Sequence, residues 1–203
     1  MSYNIIEEND TYNIIWIRGD KEKIGIRWKR GNRNMSVLVV NTLLEDSDDV
    51  LQLQKEICAQ CKDSEVVYTR DMKISHCIGC NHCWLKTPGI CTIKDDYEII
   101  LKKIMKYEKI IFITDTKFGF VSYRTKMLFD RILPIATMYL QFVDGQMRHV
   151  PRYDIRPQMG IVYRGDGDRE YLNRWLERTT LNFESTSLGA YPIEEGRGIL
   201  ECI

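Results

Sequence analysis

From residue 36 onward, short apolar runs alternate with segments whose apolar residues recur at helical spacing. SVLVVN (36–41) is almost continuously hydrophobic, the pattern of a strand covered on both faces. Asp48 to Cys61 follows with Val50, Leu51, Leu53, Ile57 and Cys61 at helical intervals, and EVVYTR (65–70) reads as a second strand. Asp95 and Asp96 offer an N-cap to a helix carrying Tyr97, Ile100, Leu101 and Ile104 on one stripe. KIIFIT (109–114) predicts a third strand, after which Ser122 caps a helix that runs to about Pro134. QMGIVYR (158–164) predicts a fourth strand, a helix is built on Tyr171, Leu172, Trp175 and Leu176, and SLGAYPI supplies the last strand. Strands alternating with helices imply an α/β protein with a parallel sheet and helices on both faces.

The first thirty or so residues follow a different rhythm. NIIEEN, TYNIIWIR and KIGIRWKR are short β-type segments, with Gly19-Asp20 and Gly31-Asn32 as turns. They predict an N-terminal antiparallel β meander at 1–33, an appendage to a main domain at 34–203. Within that domain, 140–156 reads as an inserted hairpin turning at Asp144-Gly145.

Composition narrows the partners. Lys and Arg together number 29, as do Asp and Glu, so the net charge is zero. That balance argues against a nucleic-acid or polybasic membrane surface. No apolar run approaches the roughly 18 residues of a membrane span, and MSYNIIEEND has no basic-then-apolar signal pattern. The expectation is a soluble, cytoplasmic protein. Strand edges in the meander need covering, which predicts a homodimer.

Seven cysteines change the picture more than the charge does. An odd number in a chain without an export signal argues against a disulfide framework. Four fall in the segment 71–94: Cys77-Ile-Gly-Cys80-Asn-His-Cys83, then Cys91 after the turn Thr87-Pro88-Gly89. Two-residue gaps let successive sulfurs converge on a metal, and Gly79 relieves the crowding this causes. The tight triple is closer to iron–sulfur spacing than to the two separated pairs of a zinc ribbon. A 4Fe-4S cluster, zinc (with His82 as an extra candidate) and unligated thiols all remain open. Cys58 and Cys61 fall within a helical pattern and read as two small residues a turn apart.

The segment 74–134 resembles the flavodoxin-fold NAD(P)H-dependent FMN reductases, especially their iron–sulfur flavoprotein branch. The residues that carry the likeness are CIGCNHCWLKTPGICTIKDD, IIFITDTKFGFVS and TKMLFDRILP, joined by MGIVYRGDGDREYLNRWLERT further on. The resemblance implies a flavodoxin-like three-layer sandwich on a five-stranded parallel sheet. It also implies FMN as cofactor, NAD(P)H as reductant, and cluster ligation by Cys77, Cys80, Cys83 and Cys91. By position, Thr114, Asp115, Thr116, Lys117, Phe118, Gly119 and Ser122 are the implied contacts of the flavin ring. Lys126, Asp130 and Arg131 read as structural helix pairs.

The first loop departs from that family's pattern. Asn41-Thr42-Leu43-Leu44-Glu45-Asp46-Ser47-Asp48-Asp49 contains four acids, no base and no glycine. Each carboxylate about 7 Å from a phosphate charge costs about 0.5 to 2 kcal/mol. The FMN phosphate would then depend on backbone amides near Ser47 and a base from elsewhere, with Arg124 and Lys117 as candidates. Three functions fit these observations. One is an FMN-dependent electron-transfer oxidoreductase, with a redox partner protein as one acceptor. Another is a module of the same fold that has lost the flavin and serves as an iron–sulfur relay or interaction subunit. The third is a binder of a planar, non-phosphorylated ligand.

Overall fold

The computed structural model describes residues 36–203 in full, and before them the paths of two strands, β1 (Ile14–Arg18) and β2 (Ile24–Trp28). These two pair antiparallel, Ile14 opposite Trp28 and Arg18 opposite Ile24, in keeping with a β appendage. NIIEEN and both predicted turns of the meander lie outside the described residues.

The main domain alternates strand and helix as the hydrophobic pattern requires. In chain order come β3 (Ser36–Asn41), α1 (Asp48–Gln60), β4 (Asp63–Tyr68), α2 (His82–Leu85), α3 (Tyr97–Lys106) and β5 (Lys109–Lys117). There follow β6 (Phe120–Val121), α4 (Tyr123–Asp130), β7 (Ala136–Val143), β8 (Gln146–Pro151), β9 (Gln158–Arg164), α5 (Arg169–Leu181) and β10 (Ser187–Pro192). A 3-10 segment, Ile193–Cys202, closes the domain.

Five strands form a parallel sheet in the order β10-β9-β5-β3-β4. Numbered among themselves along the chain, they run 2-1-3-4-5 from the β4 edge, the flavodoxin-like order. β3 is buried at every position, and β9 is buried from Met159 to Tyr163, because helices cover both faces of these central strands. The register sets Val40 beside both Val67 and Phe112.

Alternation along the strands divides the core in two. Leu38, Val40, Ile110, Phe112 and Ile161 meet α3, α4 and α5 through Ile100, Ile104, Leu128, Phe129, Leu172 and Leu176. Val37, Val39, Ile111, Ile113 and Val162 face α1 through Val50, Leu53 and Ile57. On that second face the place of another helix is taken by the 3-10 segment, which inserts Ile193 and Ile199. Gly160 makes the room: a Cβ there would come 2.7 Å from Ile199 Cδ1.

Several boundaries differ from the sequence reading. β4 begins at Asp63, two residues before the predicted EVVYTR, and ends at Tyr68; as an edge strand its polar start is tolerated at the surface. The helix after Ser122 ends at Asp130 rather than near Pro134, and Pro134 lies in a separate 3-10 turn, Leu133–Ile135. The hairpin starts earlier than 140, at Ala136. Its turn falls at Asp144-Gly145 as expected, with φ of 51° and 73°, the primed-turn geometry that matches strand twist. No helix among the described residues is long and apolar enough to cross a membrane.

Because Ile199 fills a slot shaped by a glycine, Ile199→Ala is expected to destabilise the fold by roughly 2–4 kcal/mol. The measurement is urea unfolding, in which the midpoint falls while the m-value is unchanged.

Candidate functional site

The helices that follow β3 and β5 lie on opposite faces of the sheet, so the C-terminal ends of these neighbouring strands part and leave a crevice. Its floor is a chain of hydroxyls. The Thr42 hydroxyl donates to the Ile113 carbonyl at 3.0 Å and lies 2.7 Å from Thr125 Oγ1. Thr125 Oγ1 is also 2.7 Å from Thr114 Oγ1, which in turn is 3.2 Å from Ser122 Oγ. Thr114 and Thr125 have no exposed surface. Buried hydroxyls need partners, and these three threonines find them in one another across β3, β5 and α4. Thr114 therefore supports the loop after β5 from beneath.

Above the floor, the loop that the resemblance assigns to the flavin ring is a tight hairpin. β5 continues to Lys117 and pairs antiparallel with β6, Thr116 opposite Val121 and Lys117 opposite Phe120. The two turn residues, Phe118 and Gly119, have φ of 54° and 75°. Glycine adopts that conformation freely, but a phenylalanine does so at a cost of about 1–2 kcal/mol. The strained Phe118 side chain gains no burial in return, being 91% exposed. The Gly119 carbonyl accepts the Asp168 amide at 3.0 Å, and the Thr116 hydroxyl donates to the Arg164 carbonyl at 3.1 Å. The hairpin is thus docked on the loop after β9. Ser122 occupies the N-cap position of α4 without a side-chain capping bond, and its amide donates to the Asp115 carbonyl.

The first loop carries less free negative charge than its four acids suggest. Asp46 turns back and accepts from Asn41 Nδ2 at 2.5 Å and from Arg70 Nη1 at 2.7 Å, so a base beyond β4 neutralises it. A hydrogen bond from Ser47 holds the Asp49 carboxyl below the usual range, with smaller help from its own and the Val50 amide and from Arg164. Arg164, at the end of β9, bonds Asp115 Oδ1 at 2.9 Å and places Nη1 3.5 Å from Ser47 Oγ. It is the base that reaches the start of α1. Arg124 and Lys117, the candidates named from sequence, lie near the rings of their chain neighbours Tyr123 and Phe118, and Arg124 Nε is buried without a partner. Nothing local in the sequence marks Arg164, since it lies 117 residues from Ser47.

The cysteine segment leaves the same rim after β4 and lies over α3 and α4. Met72 and Ile74 pack on the core, and Trp84 donates from Nε1 to the Leu133 carbonyl at 2.9 Å. Burial pushes the Cys83 thiol up, and the nearby Cys91, Cys77 and Cys80 sulfurs add to the effect. The four sulfurs thus form one electrostatic neighbourhood. Among the described residues, however, no three His, Cys, Asp or Glu side chains surround a point that one metal ion could fill. A tetrahedral zinc site would need sulfurs about 3.8 Å apart; a cluster, which brings its own irons and sulfides, holds its thiolates further apart. His82 Nδ1 lies 3.3 Å from Thr92 Oγ1.

Arg131 corrects the sequence reading most sharply. Lys126 and Asp130 do pair along α4, but Arg131, only 2% exposed, turns into the cysteine segment. Nη1 donates to the Ser75 carbonyl at 2.9 Å and to Asp95 Oδ2 at 2.6 Å. Nη2 donates to Cys91 Sγ and to the Ile93 carbonyl, both at 3.3 Å. The guanidinium carbon sits 4.5 Å from the centre of the buried Tyr97 ring. Burial pushes the Asp95 carboxyl up, but the bonds from Arg131 and the Ser75 amide outweigh it and leave the carboxyl below its usual range.

The hydroxyl floor yields a direct test. Thr125→Val keeps the shape but leaves the Thr42 and Thr114 hydroxyls a partner short, at an expected cost of about 1–3 kcal/mol. Thr125→Ser, which restores the hydroxyl, should recover most of that loss in the same urea titration.

No family model matches the chain. It is 41% identical over 73 residues to an iron–sulfur flavoprotein of Methanocaldococcus jannaschii, a match covering 36% of this chain and 37% of that protein. A second iron–sulfur flavoprotein, from Archaeoglobus fulgidus, is 38% identical over 69 residues, or 34% of this chain and 33% of the relative. The chain thus spans about a third of the length of the curated relatives it matches. Among solved structures, an NAD(P)H:quinone oxidoreductase from Methanothermobacter marburgensis superimposes with a TM-score of 0.53 at 11% identity, covering 83% of this chain and 95% of that one. These likenesses agree with the strand order: the chain has a flavodoxin-like fold and, over about a third of its length, is similar to iron–sulfur flavoproteins.

Proposed function

We propose that the protein is a flavin-dependent oxidoreductase that takes a hydride from a reduced nicotinamide nucleotide. In this reading it passes the electrons singly to an iron–sulfur cluster, or directly to a small acceptor or a redox partner protein. The observation that carries the proposal is the presence on one flavodoxin-like frame of both an aromatic hairpin at the crevice and a four-cysteine segment anchored by the next helix. When bound, riboflavin 5′-phosphate would supply the hydride-accepting ring, and a four-thiolate cluster the one-electron site.

The residues present fit both groups. Ser47 makes no side-chain bond to the amides of α1, and Arg164 stands beside it, but the Asp49 carboxylate takes the Val50 amide, so a phosphate would displace that carboxylate to reach the first-turn donors. Asp115, Thr116, Lys117, Phe118, Gly119 and Ser122 line the ring side, with Thr114 holding them from below. Phe118 offers a flat apolar face, and the Gly119 backbone can approach a ring closely. Cys77, Cys80, Cys83 and Cys91 are the four thiolate donors, with the Arg131 cation beside one of them. The likeness to iron–sulfur flavoproteins supports the flavin and the cluster, and that to an NAD(P)H:quinone oxidoreductase supports the nicotinamide nucleotide. Seven free thiols support a reducing compartment such as the cytoplasm. A two-stranded sheet such as β1–β2 is marginal without further cover, which supports a homodimer.

Anaerobically purified protein titrated with FMN tests the reading. The expected result is saturable binding of one FMN per chain and bleaching of the flavin band by NADH or NADPH. Absence of FMN binding at micromolar concentrations would sink it and favour the flavin-free module. Arg164→Ala should weaken FMN about tenfold, or about 1.4 kcal/mol. Phe118→Gly should weaken FMN yet raise stability by about 0.5–1 kcal/mol, because it relieves the left-handed strain.

A further inference from the structure

A buried guanidinium costs several kcal/mol unless its charge and donors are satisfied. Arg131 spends Nη1 on a carbonyl and on the Asp95 carboxylate, while Nε is buried without a partner. One of the two Nη2 contacts is to Cys91 Sγ. A neutral thiol is a weak acceptor, whereas a thiolate accepts a charge-assisted hydrogen bond. The arrangement is therefore well satisfied when Cys91 carries negative charge, as it does when ligating iron. Asp95, just before α3, meets the same guanidinium at Nη1 while Cys91 meets it at Nη2, so one cation touches both the sulfur and the carboxylate.

We propose that Arg131 is a positioning residue that tunes the reduction potential of the iron–sulfur site, with Asp95 as its counterweight. This rests on the cluster reading above. One-electron reduction adds one negative unit to the iron–sulfide core and its thiolates, with no proton transferred. Arg131 holds a positive charge and an N–H against the Cys91 sulfur, so it favours the reduced form, since hydrogen bonds to cluster sulfurs and net local charge both set the potential. Asp95 opposes it. The same residue is the C-cap of α4, the helix that begins directly after the β5–β6 hairpin, so the ring loop and the sulfur environment are mechanically joined through one short helix.

The test uses the full chain reconstituted anaerobically with ferrous iron and sulfide, with iron content measured first. The midpoint potential is then measured by dithionite titration followed by electron paramagnetic resonance. In Arg131→Gln, the reduced-to-oxidised ratio at the wild-type midpoint should fall about tenfold, which is about 59 mV for one electron. In Asp95→Asn the ratio should rise. Opposite shifts are the signature of electrostatic tuning, because a purely structural clamp would lower iron content in both variants without moving the potential of the loaded fraction. Should Arg131→Gln fail to load, Asp95→Asn decides alone: a raised potential supports the proposal and an unchanged one overturns it. Loss of the cluster from both variants also overturns it. If the wild-type chain takes up no iron and sulfide, the cluster reading itself falls and this proposal with it. An unmoved potential in loaded variants overturns the tuning alone.

Discussion

A parallel sheet covered on both faces leaves its backbone satisfied only while each strand has neighbours in register, and that order ends abruptly at the strand tips. Between β3 and β5 the problem is most acute, because the chain leaves toward opposite faces. The contact of Thr42, Thr125 and Thr114 bridges this gap. It fixes the end of β3, the end of β5 and the first turn of α4 with side chains that have no access to water. The first loop, the β5–β6 hairpin and the helix whose end meets the cysteine segment all hang from it. Everything proposed for the crevice presupposes that these three pieces keep fixed relative positions.

The features legible in the sequence were those in which local pattern and burial coincide. β3 and β9 read clearly because both faces are apolar, and the 144–145 turn because Asp-Gly is what a primed hairpin turn demands. β4 was displaced by two residues because an edge strand can begin with Asp63, Ser64 and Glu65, which no hydrophobic pattern marks. The 3-10 segment 193–202 was missed because Glu, Gly and Arg interrupt any helical stripe. The site residues were legible as a loop and a cysteine run. The conformation of Phe118 was not, since nothing about a phenylalanine announces a positive φ.

Charge was the least legible property. Read along the chain, Glu45 to Asp49 is an acidic loop; read in space, Asp46 belongs to Arg70, and Arg164 arrives from the far half of the domain. Arg131 looks by spacing like one more exposed helix residue beside Lys126 and Asp130, yet it is among the most deeply buried side chains of the domain. In both cases the deciding contact joins residues tens of positions apart, which composition and periodicity do not encode.

The 3-10 segment has a consequence for the order of assembly during synthesis. Ile193–Cys202 follows all the described strands, yet it shares with α1 the cover over Val37, Val39, Ile111, Ile113 and Val162. Until Ile193–Cys202 has left the ribosome, the sheet can pair and its α3–α5 face can close, but the α1 face stays partly bare. A nascent chain stalled at that point exposes a stripe of β-branched side chains, the kind of surface that chaperones hold and that aggregates when they do not.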